Sequence, residues 1–276
     1  MPLIQVIVLA VIQGITEFLP VSSTAHLIVA PWLLGWQDPG LTFDVALHVG
    51  TLVAVAAYFF RTWLQIILHG FGVQYGDDEM LRQNPRLLWL LVAGTIPAGV
   101  IGFLFEKQAE STLRSPFLIG AMMILIGMVM WIGERVGSRQ RDLGAISVAD
   151  SLVIGAAQAL AVVPGVSRSG ITITAGLFRN LDRVAAARFS FLLATPIIAG
   201  AAVKKLYEVL KHGGGIPVEM HTPFALGIVV SGLTGLAVIA FFLRFLQRRS
   251  LNFFIYYRIV FGIMVIALAA SRPPAG

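Results

Sequence analysis

The 276-residue chain is 57% apolar and only 12% charged, with a mean hydropathy of +0.85. A soluble domain is closer to half apolar and a quarter charged, so a water-soluble enzyme is excluded and an all-α polytopic membrane protein is expected. The net charge of +6 does not point to nucleic acid, because the basic residues sit between apolar spans without interleaved aromatics, and the lack of cysteine removes disulfide and thiolate chemistry.

In chain order, the first apolar stretch covers residues 2–34. It lacks a basic leader region and contains Glu17 and His26, so it is not read as a cleaved signal peptide. Pro, Ser and Thr break it between Pro20 and Ala25, which predicts a re-entrant hairpin of helix, polar turn and helix. Apolar runs then predict spans near 43–60, 87–105 and 116–133. A second broken stretch, 150–178, is interrupted from Pro164 to Gly170 and is again read as a re-entrant hairpin. Spans near 189–203 (short), 223–243 and 253–270 follow. This makes about six transmembrane helices in all.

Each half, 1–135 and 150–270, thus reads as a broken hairpin followed by three spans. Three crossings per half put the second half in the opposite orientation, as does the alternative in which each broken stretch crosses twice as two short helices. The expectation is one integral membrane domain over 1–276, built as an inverted-topology repeat with its site near the midplane, between the hairpins. Irregular backbone at that depth needs protein or a water-filled cavity to satisfy it.

Loop charges orient the chain. Arg61, Arg82, Arg86, Arg135, Arg139, Arg141, Arg179, Arg183, Arg188, Arg244, Arg248, Arg249 and Arg258 are placed on one side. Lys107, Arg114, Lys204, Lys205, Lys211 and Arg272 fall on the other. The arginine-rich side is assigned to the cytoplasm, which puts both termini outside.

The two breaks carry the polar residues. Gln13 and Glu17 are four apart, hence on one helix face. A carboxylate there can bind a divalent cation, act as a general acid or base, or orient a histidine. Pro20-Val-Ser-Ser-Thr-Ala-His26 follows, with Ser22, Ser23 and Thr24 as candidate nucleophile, phosphate ligands or helix caps, and His26 as the base that would activate a serine. The spacing alone does not choose between Ser22 and Ser23. In the second half, Pro164-Gly-Val-Ser-Arg-Ser-Gly170 sets Gly165, Ser167, Arg168, Ser169 and Gly170 at a helix start, a pattern suited to phosphate. The Gly-Lys-Ser/Thr ending of a P-loop is absent. His48 is a weaker candidate, a supporting partner or an interhelical hydrogen bond. Gly94, Gly99 and Gly102 read as close helix packing.

With these motifs and Phe43-Asp-Val-Ala-Leu-His-Val-Gly-Thr51 in place, the chain resembles the undecaprenyl pyrophosphate phosphatases of the bacitracin-resistance type over essentially its whole length. The resemblance implies an inner-membrane hydrolase that converts undecaprenyl pyrophosphate to undecaprenyl phosphate, recycling the carrier lipid for cell-wall synthesis. It implies an active site open to the periplasm and dependence on a divalent cation, Mg2+ or Ca2+, with Glu17 and Gln13 as its ligands. It assigns catalysis to Glu17, Ser23, His26 and Arg168, with Ser23 the nucleophile. Partners would be the polyprenyl pyrophosphate, the bilayer and, through the shared substrate only, bacitracin; a homodimer is left open. Gln13 and Ala25 stand where the family often has Glu and Gly. The rival class is a transporter or lipid flippase, since broken helices in inverted repeats are also transporter architecture.

Overall fold

The computed structural model describes residues 1–110, 112–212 and 217–271. Arg272 and the side chain of Lys107, both counted in the loop charges, lie outside the described residues. The described residues form α-helices joined by short turns, with no strand among them: α1 (Leu3–Phe18), α2 (Ser23–Leu34), α3 (Leu41–Tyr58), α4 (Phe60–Gly70), α5 (Glu79–Gln83), α6 (Leu87–Glu110), α7 (Pro116–Val136), α8 (Val148–Ala159), α9 (Arg168–Phe178), α10 (Arg183–His212), α11 (Val218–Leu246) and α12 (Asn252–Ser271). Five of these, α6, α7, α10, α11 and α12, are long and apolar enough to cross a membrane, and the bent pair α3 with α4 brings the number to six when it is counted as one span. The protein is an all-α polytopic membrane protein.

Two spans differ from expectation. The run 43–60 does not continue straight: the chain turns by 71° after Tyr58 into α4. The polar face of α4 explains the turn, since Gln65 Nε2 donates to the Asp78 carbonyl (3.0 Å) and the His69 ring bonds the Leu81 carbonyl (3.3 Å), tying α4 to the segment around α5. The short run 189–203 lies inside a 30-residue helix, α10. Its charged ends, Arg183 and Lys204–Lys205, interrupt the apolar count but not the helix, because long basic side chains reach toward water from either end of a span.

Both broken stretches are helical hairpins. In each, a serine with left-handed backbone opens the second helix: Ser22 at φ 72° and Ser167 at φ 73°. Their hydroxyls accept from the amides three residues on, Ala25 N at 3.4 Å and Gly170 N at 3.1 Å. A side chain in that backbone region costs about 1–3 kcal/mol and persists where the surroundings over-determine it. The halves interlock: α1 packs on α11 of the second half, α8 on α6 of the first. The α6–α8 approach leaves no room for a side chain, because a Cβ on Gly155 would meet the Gly94 carbonyl oxygen at 2.1 Å. Gly94 is therefore a packing glycine, as expected, whereas Gly99 and Gly102 face the larger cavity described below.

The arginine-rich side is also a network of ion pairs. Asp150, fully buried in the first turn of α8, accepts from Arg141 (2.6 Å), Arg179 (2.6 Å) and Ser147. Glu134 pairs with Arg183, and Asp78 with Arg188 at 2.7 Å. One arginine assigned to that side belongs elsewhere: Arg258 is wholly buried in α12.

Candidate active site

The site is built where the two hairpin turns meet. Glu17, the last polar residue of α1, is buried, and each of its carboxylate oxygens is engaged. Oε1 accepts from Arg168 Nη2 of the second hairpin at 2.8 Å. Oε2 accepts from Ser23 Oγ at 2.7 Å and Gln13 Nε2 at 3.1 Å, with His48 Nε2 3.4 Å away. A carboxylate with this many donors is held in place, and the Ser23 hydroxyl already donates to it.

Ser22, Ser23, Thr24, Ser167, Arg168 and Glu17 line a small polar pocket with room for about one water, about 20 Å³. It adjoins a cleft of about 570 Å³. Arg168, Thr24 and His48 stand at the inner end of the cleft, Gly99, Gly102 and Ile197 form apolar walls from α6 and α10, and Arg114, Lys204 and Lys205 also line it. A charged end against a largely apolar wall suits an amphipathic ligand.

Two of the expected phosphate ligands donate hydrogen bonds within the hairpins, and a third shapes the turn. Ser169 Oγ donates to the Leu19 carbonyl at 3.0 Å, which clamps one turn to the other. The Gly170 amide is taken by Ser167 Oγ. Gly165 makes the turn, at φ 95°, and its carbonyl faces away into a buried hydrogen bond.

His26 does not contact Ser23 through a hydrogen bond. Its Nδ1 lies 2.8 Å from the Ser22 carbonyl, which can only accept, so Nδ1 carries a proton. In the neutral ring Nε2 is then the acceptor, and Tyr257 hydroxyl donates to it at 2.7 Å. No lone pair is left for the serine. The reason is geometric: three residues into α2, His26 projects onto α12, where its ring also stacks on Phe261.

His48, weak in the sequence, is the histidine that reaches the carboxylate. Its Nδ1 is anchored on the Asp44 carbonyl at 2.7 Å, which leaves Nε2 toward Glu17. The signal that could have found it is an imidazole inside an apolar span, where ionisable groups are functional by default.

A divalent cation fits the donor set only in part. Among the described residues no cluster of three or more His, Asp or Glu could hold a metal. However, Gln13 Oε1 is buried and has no hydrogen-bond partner, on the same amide whose Nε2 donates to Glu17. One carboxylate and one amide oxygen suit a hard cation that takes its remaining ligands from phosphate oxygens and water.

The family described as "Bacitracin resistance protein BacA" matches residues 6–264. The chain belongs to this family. The BacA relatives extend over the whole chain. The undecaprenyl-diphosphatase of Moorella thermoacetica is 46% identical over 268 residues, covering 97% of this chain and 98% of its own. That of Pelotomaculum thermopropionicum is 47% identical over 272 residues, covering 99% and 98%. That of Thermomicrobium roseum is 44% identical, covering 96% and 98%. The BacA resemblance read from the motifs is therefore a full-length relationship.

Proposed function

We propose that this protein hydrolyses undecaprenyl pyrophosphate to undecaprenyl phosphate and inorganic phosphate, and so contributes to bacitracin resistance by recycling the lipid that the antibiotic binds. The observation that carries the chemistry is the Ser23–Glu17–Arg168 chain, a hydroxyl, a carboxylate and a guanidinium joined at 2.7 and 2.8 Å across the two hairpins.

The head group sits in the cleft against Arg168 and Thr24, beside the water-sized polar pocket, and the prenyl tail lies along the α6–α10 wall. Arg168 turns part of its fork to phosphate oxygens, where a planar guanidinium offers paired donors. Ser23 Oγ attacks the terminal phosphorus, and its proton passes to Glu17. The bond from that phosphorus to the bridging oxygen breaks, and undecaprenyl phosphate leaves with the electron pair. Water then hydrolyses the phosphoserine, and inorganic phosphate departs. Phosphoryl transfer needs mainly positioning and charge stabilisation, which this buried cluster supplies. A bound Mg2+ or Ca2+ would add neutralising charge on the phosphates, held by Glu17 and Gln13. The water-sized pocket beside Ser23 favours one second reading, direct attack by water with Ser23 binding phosphate.

The chain is one membrane domain of two inverted repeats in the bacterial plasma membrane, with the site and both termini on the periplasmic face. The loop-arginine bias supports that orientation, and the bias survives removal of Arg258 from it. The deciding experiment is phosphate release from undecaprenyl or farnesyl pyrophosphate by detergent-purified protein, with Mg2+, Ca2+ or chelator and with Arg168→Ala alongside. Release that requires metal and Arg168 is expected. No release from folded protein would sink the reading in favour of a transporter.

A further inference from the structure

Among the described residues Arg258 is the largest fully buried side chain, in the second turn of a largely apolar helix. The described ion pairs do not include it. Instead its guanidinium is spent on backbone carbonyls of both broken turns. Nη1 donates to Pro20 O at 3.0 Å in the first turn. Nη2 donates to Gly165 O at 2.7 Å and Val166 O at 3.0 Å in the second. Nε reaches Met123 O of α7 at 3.4 Å. The start of α9 closes over the same group, since a Cβ on Gly170 would lie 3.0 Å from Nη1.

These carbonyls belong to backbone that helix and turn geometry leaves unpaired. Pro20 precedes the strained Ser22 by two residues, and Gly165 and Val166 precede the equally strained Ser167. Unmet carbonyls at this depth are costly, and one planar cation answers three of them at once. Ser22 leads into Ser23, and Ser167 into Arg168. The group that satisfies both turns therefore also sets how far the attacking hydroxyl stands from the phosphate clamp.

We infer that Arg258 is a positioning residue for the phosphatase reaction, a staple from α12 that holds the two hairpin turns at the separation transfer from substrate to Ser23 requires. This rests on the function proposed above. Arg258 touches neither pocket and makes no contact with the phosphate in this scheme. Its loss should slow the chemical step while leaving substrate affinity nearly intact. A misplacement of about 1 Å in such a site costs on the order of 100-fold in rate.

The test compares full-length wild type, Arg258→Met, Arg258→Lys and Arg168→Ala in one phosphate-release assay with farnesyl pyrophosphate. Arg258→Met should lose about 100-fold in kcat with KM within about threefold of wild type, and Arg258→Lys, which keeps the charge but not the fork, should recover part of the loss. Wild-type kcat in Arg258→Met, or a raised KM at unchanged kcat, would overturn the inference. A second readout does not use activity. The chain has no cysteine of its own, so nitroxide labels on cysteines introduced at Thr24 and Ala161 report the distance between the hairpins. One narrow distance in the Arg258 background should become broad in Arg258→Lys, and in Arg258→Met where that variant folds. An unchanged distribution in Arg258→Lys overturns the proposal even if Arg258→Met does not fold. If wild type releases no phosphate, the proposed function fails, while the distance measurement still decides whether Arg258 holds the turns.

Discussion

Arg168 Nη2 and Glu17 Oε1 stand 2.8 Å apart although 151 residues separate them in the chain. This contact joins the two hairpins at their polar turns and places a positive and a negative charge side by side in the lining of one small pocket. Glu17 is nearly inaccessible, at 4% of its side chain, while Arg168 retains 21% and so has a face to offer a ligand.

Breaking that pair from one side leaves a buried charge without its partner, which typically costs about 3–5 kcal/mol. Arg168→Ala should therefore lower the thermal midpoint in detergent as well as abolish turnover. The double variant Glu17→Gln with Arg168→Ala should regain part of the midpoint and none of the activity. Differential scanning fluorimetry beside the phosphate assay checks both. Equal midpoints for the single and double variants would separate the two residues energetically.

Ser23→Ala should reduce kcat by at least about 100-fold if its hydroxyl forms the covalent bond, following the scale seen when a catalytic group is removed. A loss of only a few-fold would favour direct attack by water. Acid-quenched wild-type protein incubated with terminally radiolabelled substrate should carry label that Ser23→Ala lacks.

Ser22 and Ser167 predict that glycine is tolerated better than alanine at both caps. Each caps a helix, a contribution of about 1 kcal/mol, while holding left-handed backbone that glycine adopts without strain. Ser167→Ala should lose about 1 kcal/mol, since the cap goes and the strain stays. In Ser167→Gly the strain is relieved as the cap is lost, so stability should stay close to wild type. Chemical denaturation of the two variants gives the comparison; a less stable glycine variant would contradict the backbone argument.

Asp150 provides a pH prediction away from the spans. Burial alone would raise its pKa, but hydrogen bonds from Arg141, Arg179 and Ser147 hold it well below the ordinary carboxylate value of 3.8. A depressed folded value means that the stabilisation is fully present above the unfolded pKa and is lost as pH falls through and below about 4. Wild type should exceed Asp150→Asn in thermal midpoint at pH 7, with the gap constant down to about pH 5 and narrowing below it. A gap that widens on acidification would reverse the sign.

The unpartnered Gln13 Oε1 gives the cation prediction. Gln13→Glu places a second carboxylate beside Glu17 and should lower the Mg2+ concentration for half-maximal activity by about tenfold, since affinity at such sites follows ligand charge. Without metal the same variant should be less stable, because two buried carboxylates then repel. Titration of activity and of thermal midpoint with Mg2+ reads both effects.

Sequence alone determined the membrane class, the breaks at Pro20–Ala25 and Pro164–Gly170, the repeat of those breaks, and the family. These follow from composition and from residue types that resist helix, properties that each short segment carries locally. It also singled out Glu17, the Ser22–Ser23 pair and Arg168, because charged and hydroxyl groups inside apolar stretches need a reason to be there, while the choice of Ser23 came from the family resemblance.

Only the tertiary structure decided which of these groups meet. His26 and Ser23 are three residues apart, yet one helical turn sends the imidazole to Tyr257 on α12 and the hydroxyl to Glu17. His48, on another helix, approaches the same carboxylate instead. Ser169 and Gly170 look like phosphate donors in the motif, and in the structure Ser169 Oγ donates to the Leu19 carbonyl and the Gly170 amide to Ser167 Oγ. Arg258 reads as one more loop arginine until its guanidinium is seen between two turns. Hydrogen-bond partners are assigned by distances across helices packed far apart in the chain, and no local pattern of residues encodes those distances.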